Sequence, residues 1–291
     1  WGLSNPREIT IVTLYVNIGA FPKGKNKIFT AETYKTWMGS WAMLTNRVIG
    51  FFDDDQIMEY FRKIRSLQPK DRTFLTKVNR SELSSFKHLE RVRQLFSDPS
   101  YPKHNPNTVI PEYACAMSAK YDALDKAMAT GLIQSKYVAW MDIGLFRKLG
   151  SAGYIFTLEV PPNVNSSCVS MTEVSQKDQM SKVTPRDYIW SNRVWVAGGF
   201  VLATTEVMEK FSKSYKNMVQ ILLDQNLTST DQQIIGAMYS PDYIHQQPVN
   251  INAYRCKDGQ FGLHGADRDY FCLPYICKET GENRRKETVS V

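Results

Sequence analysis

The sequence predicts an α/β fold organised on one largely parallel sheet. Two observations carry this. Short apolar runs rich in β-branched and aromatic residues alternate with longer segments whose apolar residues follow helical spacing, the strand–helix–strand order of parallel sheets. The 291-residue chain is 43% hydrophobic, enough for one large core, and it has no repeat or low-complexity linker, so one domain over 1–291 is expected.

The first strand is expected from Glu8 to Tyr15, a β-branched run that breaks at Asn17-Ile18-Gly19. The loop from Phe21 to Lys27 holds Lys23, Lys25 and Lys27 and either wraps a phosphate or is a solvated turn. Its glycine spacing matches neither a P-loop nor a dinucleotide fingerprint. After Thr30, a plausible cap, Tyr34, Trp37, Met38 and Trp41 keep helical spacing, and core packing explains these aromatics best. Arg47 to Phe52 is the second strand, and Asp53-Asp54-Asp55 at its end either caps the next helix or, through one acid, meets a base or ribose. The helix Gln56–Leu67 is expected to turn Ile57, Tyr60, Phe61 and Ile64 inward and Arg62, Lys63 and Arg65 outward.

Thr73–Val78 is a short strand, Ser81–Phe96 a helix, and Asp98–Pro111 a Pro/Asn-rich loop. Glu112–Ala129 is an alanine-rich helix ended by Gly131, with Lys120 either solvated or turned toward a phosphate. The central strand, Tyr137–Met141, is too short for an independent helix and stops at Asp142. Ligands of open α/β sheets bind beyond the carboxyl ends of the strands, where a carboxylate holds a cation or a sugar hydroxyl; Asp142 does that or caps the turn. Later, Val194–Ala203 is an apolar run interrupted by Gly198-Gly199, a pattern that marks a bulge or a close ligand approach. A helix follows from Glu206 to Leu223. Asp231 precedes another apolar helical stretch, as its cap or as an acid placed to accept a proton or sugar hydroxyl. His264, between Leu263 and Gly265, is structural or a metal ligand, and 257–291 is expected to be a loop-rich tail.

A net charge of +7 favours an anionic partner, but the basic residues are scattered and match no nucleic-acid module. No apolar stretch is long enough to span a bilayer, and Trp1 opens no signal peptide. Membrane attachment is therefore expected only through a segment outside this chain, any targeting segment having been removed or never present. Three sequons, at Asn79, Asn165 and Asn226, and the C-terminal cluster Cys256, Cys272 and Cys277 favour a secretory lumen such as the Golgi over the cytoplasm. Five cysteines leave at least one thiol unpaired within the chain.

Ile11-Val12-Thr13 through Gly19, Lys120, Trp140-Met141-Asp142-Ile143-Gly144, Trp195 to Gly199 and Ser229-Thr230-Asp231-Gln232 together resemble the HtrL/YibB-type family, over about Ile9 to His264. Their order also resembles GT-A glycosyltransferases. The resemblance implies a GT-A-like (Rossmann-like) three-layer sandwich with a mostly parallel mixed sheet. It also implies transfer of a sugar from a nucleotide-sugar donor, UDP-sugar favoured, to a hydroxyl of a glycan or glycoprotein acceptor, with Mn2+ or another divalent cation. The nucleotide-sugar contacts so implied are Thr13, Tyr15, Asp53, Arg65, Lys120, Asp142, Gly198 and Gly199; the metal ligands are Asp142 and His264; the base is Asp231. Gly144 stands where the usual Asp-x-Asp pattern has its second acid, which departs from the family-wide metal motif. A catalytically silent glycan-binding or scaffold protein on the same fold is the alternative. A nicotinamide enzyme is disfavoured, because the glycine pair lies far from the first strand.

Overall fold

The computed structural model describes residues 5–24, 27–149 and 153–289; Lys25 and Trp1 lie outside them. The nine strands are β1 (Ile9–Tyr15), β2 (Phe21–Pro22), β3 (Ile28–Phe29), β4 (Val48–Phe52), β5 (Thr73–Lys77), β6 (Tyr137–Met141), β7 (Cys168–Glu173), β8 (Val196–Thr204) and β9 (Asn250–Tyr254) among these residues. Helices α1 (Ala31–Met38), α2 (Asp55–Arg65), α3 (Ser84–Lys87), α4 (Leu89–Ser97) and α5 (Pro111–Ala129) occupy the first half. They are followed by α6 (Lys177–Met180), α7 (Pro185–Trp190), α8 (Thr205–Asp224), α9 (Asp231–Met238) and α10 (Gly265–Val289).

Seven strands form one sheet in the order β5-β4-β1-β6-β8-β7-β9, and β2 pairs with β3 in a separate ribbon. Within the seven-stranded sheet β8 runs antiparallel to β6 and β7, while its other pairs are parallel, so the sheet is mixed and mostly parallel, as expected. The alternation of β1 explains the three layers. Val12 and Leu14 enter the core shared with α5, α8 and α9, whereas Ile9, Ile11 and Tyr15 enter the opposite core with α1, α2 and α10. Both faces are covered, which is why β1, β4 and β6 are buried along their whole length.

Local chemistry sets the boundaries. Thr30 caps α1 through a reciprocal bond with Thr33, and Asp54 caps α2 by accepting from the amides of Gln56 and Ile57. Gly131 follows α5 with φ +70°, the conformation a glycine adopts without a Cβ penalty. On α2 the buried face runs Ile57, Phe61, Arg65. Phe61 packs 5.2 Å from the rings of both Trp41 and Phe52, and truncating it to alanine should cost about 3–5 kcal/mol.

Three expectations need correction, and two strands form where none was expected. Arg65 points inward rather than outward: the i, i+4, i+8 row that buries Ile57 and Phe61 buries it too, while Tyr60 is exposed. The helix expected over Ser81–Phe96 is two pieces, α3 and α4, joined at His88. Strands β7 and β9 form in stretches whose polar residues masked them. The expected loop-rich tail is mostly α10, which contains Pro274 and packs Leu273 and Cys277 into the core. Cys256 and Cys272 form a disulfide, leaving Cys115, Cys168 and Cys277 as thiols. No helix among the described residues is long and apolar enough to cross a membrane.

Candidate active site

A cavity of about 860 Å³ opens where β1 and β6 end, between α5, α9 and the start of α10. That is the edge at which α/β sheets bind ligands. Four elements bring its floor together. Lys120 projects from the interior of α5, Asp142 follows the last residue of β6, Asp231 opens α9, and Gly198 lies within β8.

The Lys120 ammonium donates to Asp231 Oδ2 at 2.8 Å and to the Gly198 carbonyl at 2.7 Å, and lies 3.7 Å from Asp142 Oδ1. It also sits 5.4 Å from the centre of the Trp140 ring, whose Nε1 donates to Asp142 Oδ1 at 2.7 Å. Burial opposes the charge on Lys120, but Asp142 and Asp231 outweigh it and raise its pKa. Burial raises the pKa of Asp231, with Lys120 pulling the other way. The two acids differ in access: the Asp231 side chain is 4% exposed and that of Asp142 is 41%. Thr230 is the N-cap of α9 but its hydroxyl is turned to Gln233, and Asp231 is committed to Lys120, so neither side chain caps the helix amides.

The glycine pair of β8 makes this packing possible. Between Met171 and Thr172 of β7 the partner in β8 jumps from Val201 to Ala197, so the expected bulge surrounds Gly198 and Gly199. The Gly199 carbonyl accepts from the Asp142 amide at 2.8 Å, anchoring the turn after β6. A Cβ on Gly199 would stand 3.3 Å from Leu145 and 3.5 Å from Asp142 Oδ2.

Aromatic and basic groups make the walls. Tyr15, Tyr34, Trp37 and Tyr113 line the cavity, and burial pushes the Tyr15 phenol up to about 12. Lys23 donates to the Tyr113 hydroxyl at 2.7 Å and lies 5.1 Å from that ring's centre. Arg147 packs 5.2 Å from the centre of the Trp37 ring and 5.3 Å from that of Phe271.

Of the residues expected at the site, Tyr15, Lys120, Asp142, Gly198, Gly199 and Asp231 line the cavity. Four others stand outside its lining. Thr13 is buried in β1 with its hydroxyl unpaired. Asp53 accepts from the Asn17 amide at 2.8 Å and lies 3.1 Å from Arg80 Nε, which ties the end of β4 to the loop after β1. Arg65 donates to the backbone carbonyls of Trp41 at 2.8 Å and Asn46 at 3.0 Å, and also to that of Leu44, so it is a framework residue. His264 is exposed and lies 3.1 Å from Asp258. Asp142 lines the cavity and His264 does not, and no group of three His, Cys, Asp or Glu side chains gathers to hold a metal among the described residues. Between Asp142 and Asp231 stands an ammonium, and it takes the electrostatic place a cation would need.

Sequence reasoning missed Tyr34, Trp37, Tyr113 and Arg147 on the wall. Tyr34 and Trp37 follow the helical spacing of a core face, and only the position of α1 at the sheet edge turns them to the cavity. Arg147 had no signal beyond lying five residues past Asp142.

The fold and the site define an α/β protein with a ligand cavity that joins a buried acid–lysine pair to an aromatic, cationic wall. The chain belongs to the HtrL_YibB family: residues 7–256 match the family described as "Bacterial protein of unknown function (HtrL_YibB)". It is similar to Protein HtrL of Escherichia coli (strain K12), with 23% identity over 262 residues that span 84% of this chain and 87% of the relative. The crystal structure of mouse xyloside xylosyltransferase 1 in its apo form aligns with a TM-score of 0.41 and 10% identity, covering 91% of this chain and 93% of that one. That likeness is too distant to assign an activity.

Proposed function

We propose that this protein is a glycosyltransferase that moves a sugar from a nucleotide-sugar donor to an acceptor hydroxyl. The observation that carries the reading is Asp231: a buried carboxylate, paired with Lys120, in the lining of the cavity at the strand ends. A hydroxyl is a poor nucleophile near neutral pH and needs a carboxylate to take its proton as the new bond forms. Asp231, made more basic by burial, takes that proton while the bond from the sugar's anomeric carbon to the diphosphate breaks and the pair of electrons leaves with the phosphate. Asp142, open to the cavity and braced by Trp140, is placed to meet sugar hydroxyls.

UDP-sugars are the favoured donors and a glycan or glycoprotein the favoured acceptor. The Cys256–Cys272 bond suits a compartment that permits disulfides. The family description and the Escherichia coli relative are bacterial, which leaves the Golgi without support.

A panel of UDP- and GDP-sugars in a thermal-shift assay finds the donor, because a ligand of the native state raises apparent stability. With the donor known, Asp231→Asn is expected to lower transfer by about 10²- to 10⁴-fold while donor affinity stays within a small factor. Unchanged turnover would refute the base assignment, and a ligand bound without any turnover in the wild type would mark a silent glycan-binding protein.

A further inference from the structure

The wall beside Asp142 has no room for a second acid. A Cβ at Gly144 would stand 2.6 Å from Cε3 of the Trp37 indole, closer than side-chain carbons approach one another. Trp37 is packed against three neighbours. The rings of Phe29 and Tyr34 hold it edge-on with centroids 5.0 and 5.1 Å away, and the Arg147 guanidinium packs 5.2 Å from its ring centre. The side chain that would complete an Asp-x-Asp pair is thus replaced by an indole carrying a cation.

Positive charge is instead built into the cavity. Lys120 occupies the gap between Asp142 and Asp231. Lys23 and Arg147 also line the cavity, and among the described residues neither stands in a salt bridge with a carboxylate: Lys23 donates to Tyr113, and Arg147 to the Gly144 carbonyl at 3.3 Å. Burial lowers the pKa of Lys23; the pull of Asp142 and Asp231 exceeds the push of Arg147 and Lys120 but does not overcome that burial. A bound anion would offset the desolvation of that buried ammonium. Ammonium and guanidinium groups supply the charge stabilisation that a leaving diphosphate requires.

We propose that the cavity holds the diphosphate of its donor on Lys23 and Arg147, above the Lys120–Asp142 pair, without a divalent cation. This rests on the nucleotide-sugar reading given above, and the test separates the two. UDP and GDP are titrated calorimetrically into the wild-type protein, Lys23→Met and Arg147→Met, in EDTA and in Mn2+, and Mn2+ is titrated alone. One nucleotide is expected to bind the wild type with affinities in the two buffers within about three-fold of each other, under 1 kcal/mol. Each substitution is expected to weaken it about ten-fold in EDTA with the unfolding temperature unchanged, and Mn2+ alone is expected to give no binding heat. Binding that is about ten-fold or more tighter with Mn2+, or that survives both substitutions, overturns the metal-free cradle and leaves the donor reading standing. Failure of both nucleotides to bind in either buffer overturns both.

Discussion

Asp231 occupies the side-chain space of Gly198: a Cβ on that glycine would stand 1.7 Å from Asp231 Oδ2 and 3.1 Å from Lys120 Nζ. The pair of charges and the missing side chain are one arrangement. Gly198→Ala is therefore expected to expel the acid from its place, destabilising the protein by about 1–3 kcal/mol. Chemical denaturation measures that cost, and nucleotide titration and transfer assays on the folded variant show whether the site goes with it. Unaltered stability would mean that the acid moves aside freely.

The acid limb of the pH–rate profile should lie above the ordinary carboxylate value of 3.8, because burial raises the pKa of Asp231. Its carboxyl keeps its proton to higher pH, so the base form and turnover rise together as pH climbs through that raised value. Lys120, raised by its two acids, stays charged across this range. A kcat/KM profile that is flat down to pH 4, or one whose acid limb persists in Asp231→Asn, would contradict the assignment.

Arg65 holds the chain together rather than a ligand. It donates to the carbonyls of Trp41, Leu44 and Asn46 and to the Thr73 hydroxyl at 3.0 Å. Arg65→Met leaves those carbonyls buried without donors and is expected to cost about 3 kcal/mol or more. Nucleotide affinity below the unfolding temperature should not change; a specific loss of affinity would return Arg65 to the ligand.

Stability should also fall in acid through Asp122. Burial alone would raise its pKa, but hydrogen bonds from Ser84 and the Ser85 amide, with the Lys216 ion pair at 2.9 Å, outweigh it and hold the pKa below 3.8. A lowered folded value means that the stabilisation is complete above the unfolded pKa, about pH 4, and drains away as pH falls through the folded one. Urea midpoints measured from pH 6 to pH 2 should therefore drop less steeply for Asp122→Asn than for the wild type, from a lower starting value.

Much of this architecture was legible because period and position agreed. The run Tyr137–Met141 is uniformly apolar and is buried on both faces, and Thr30 and Gly131 sit where helix ends need them. β7 was hidden because Ser170 and Thr172 are buried although polar, Thr172 accepting from the Leu273 amide. At the site, Lys120, Asp142 and Asp231 were readable as charged residues beside apolar runs. Arg65 and His264 were not, since a basic residue on a helix and a histidine between a leucine and a glycine look alike whether they face a cavity, a carbonyl or solvent. Arg65 stands four residues beyond Phe61 on the buried row, but its charge argued for the solvent side.

The Cys256–Cys272 bond joins the stretch after β9 to α10, and the opening turns of α10 carry Asp267, Tyr270 and Phe271 into the cavity wall. The link holds the wall near the edge of the sheet, where the Leu273 amide beside Cys272 donates to Thr172 of β7. A batch of protein folded under thiol reductant should keep its strands and its melting cooperativity while its grip on nucleotide slackens, so redox history belongs among the variables controlled in any ligand assay.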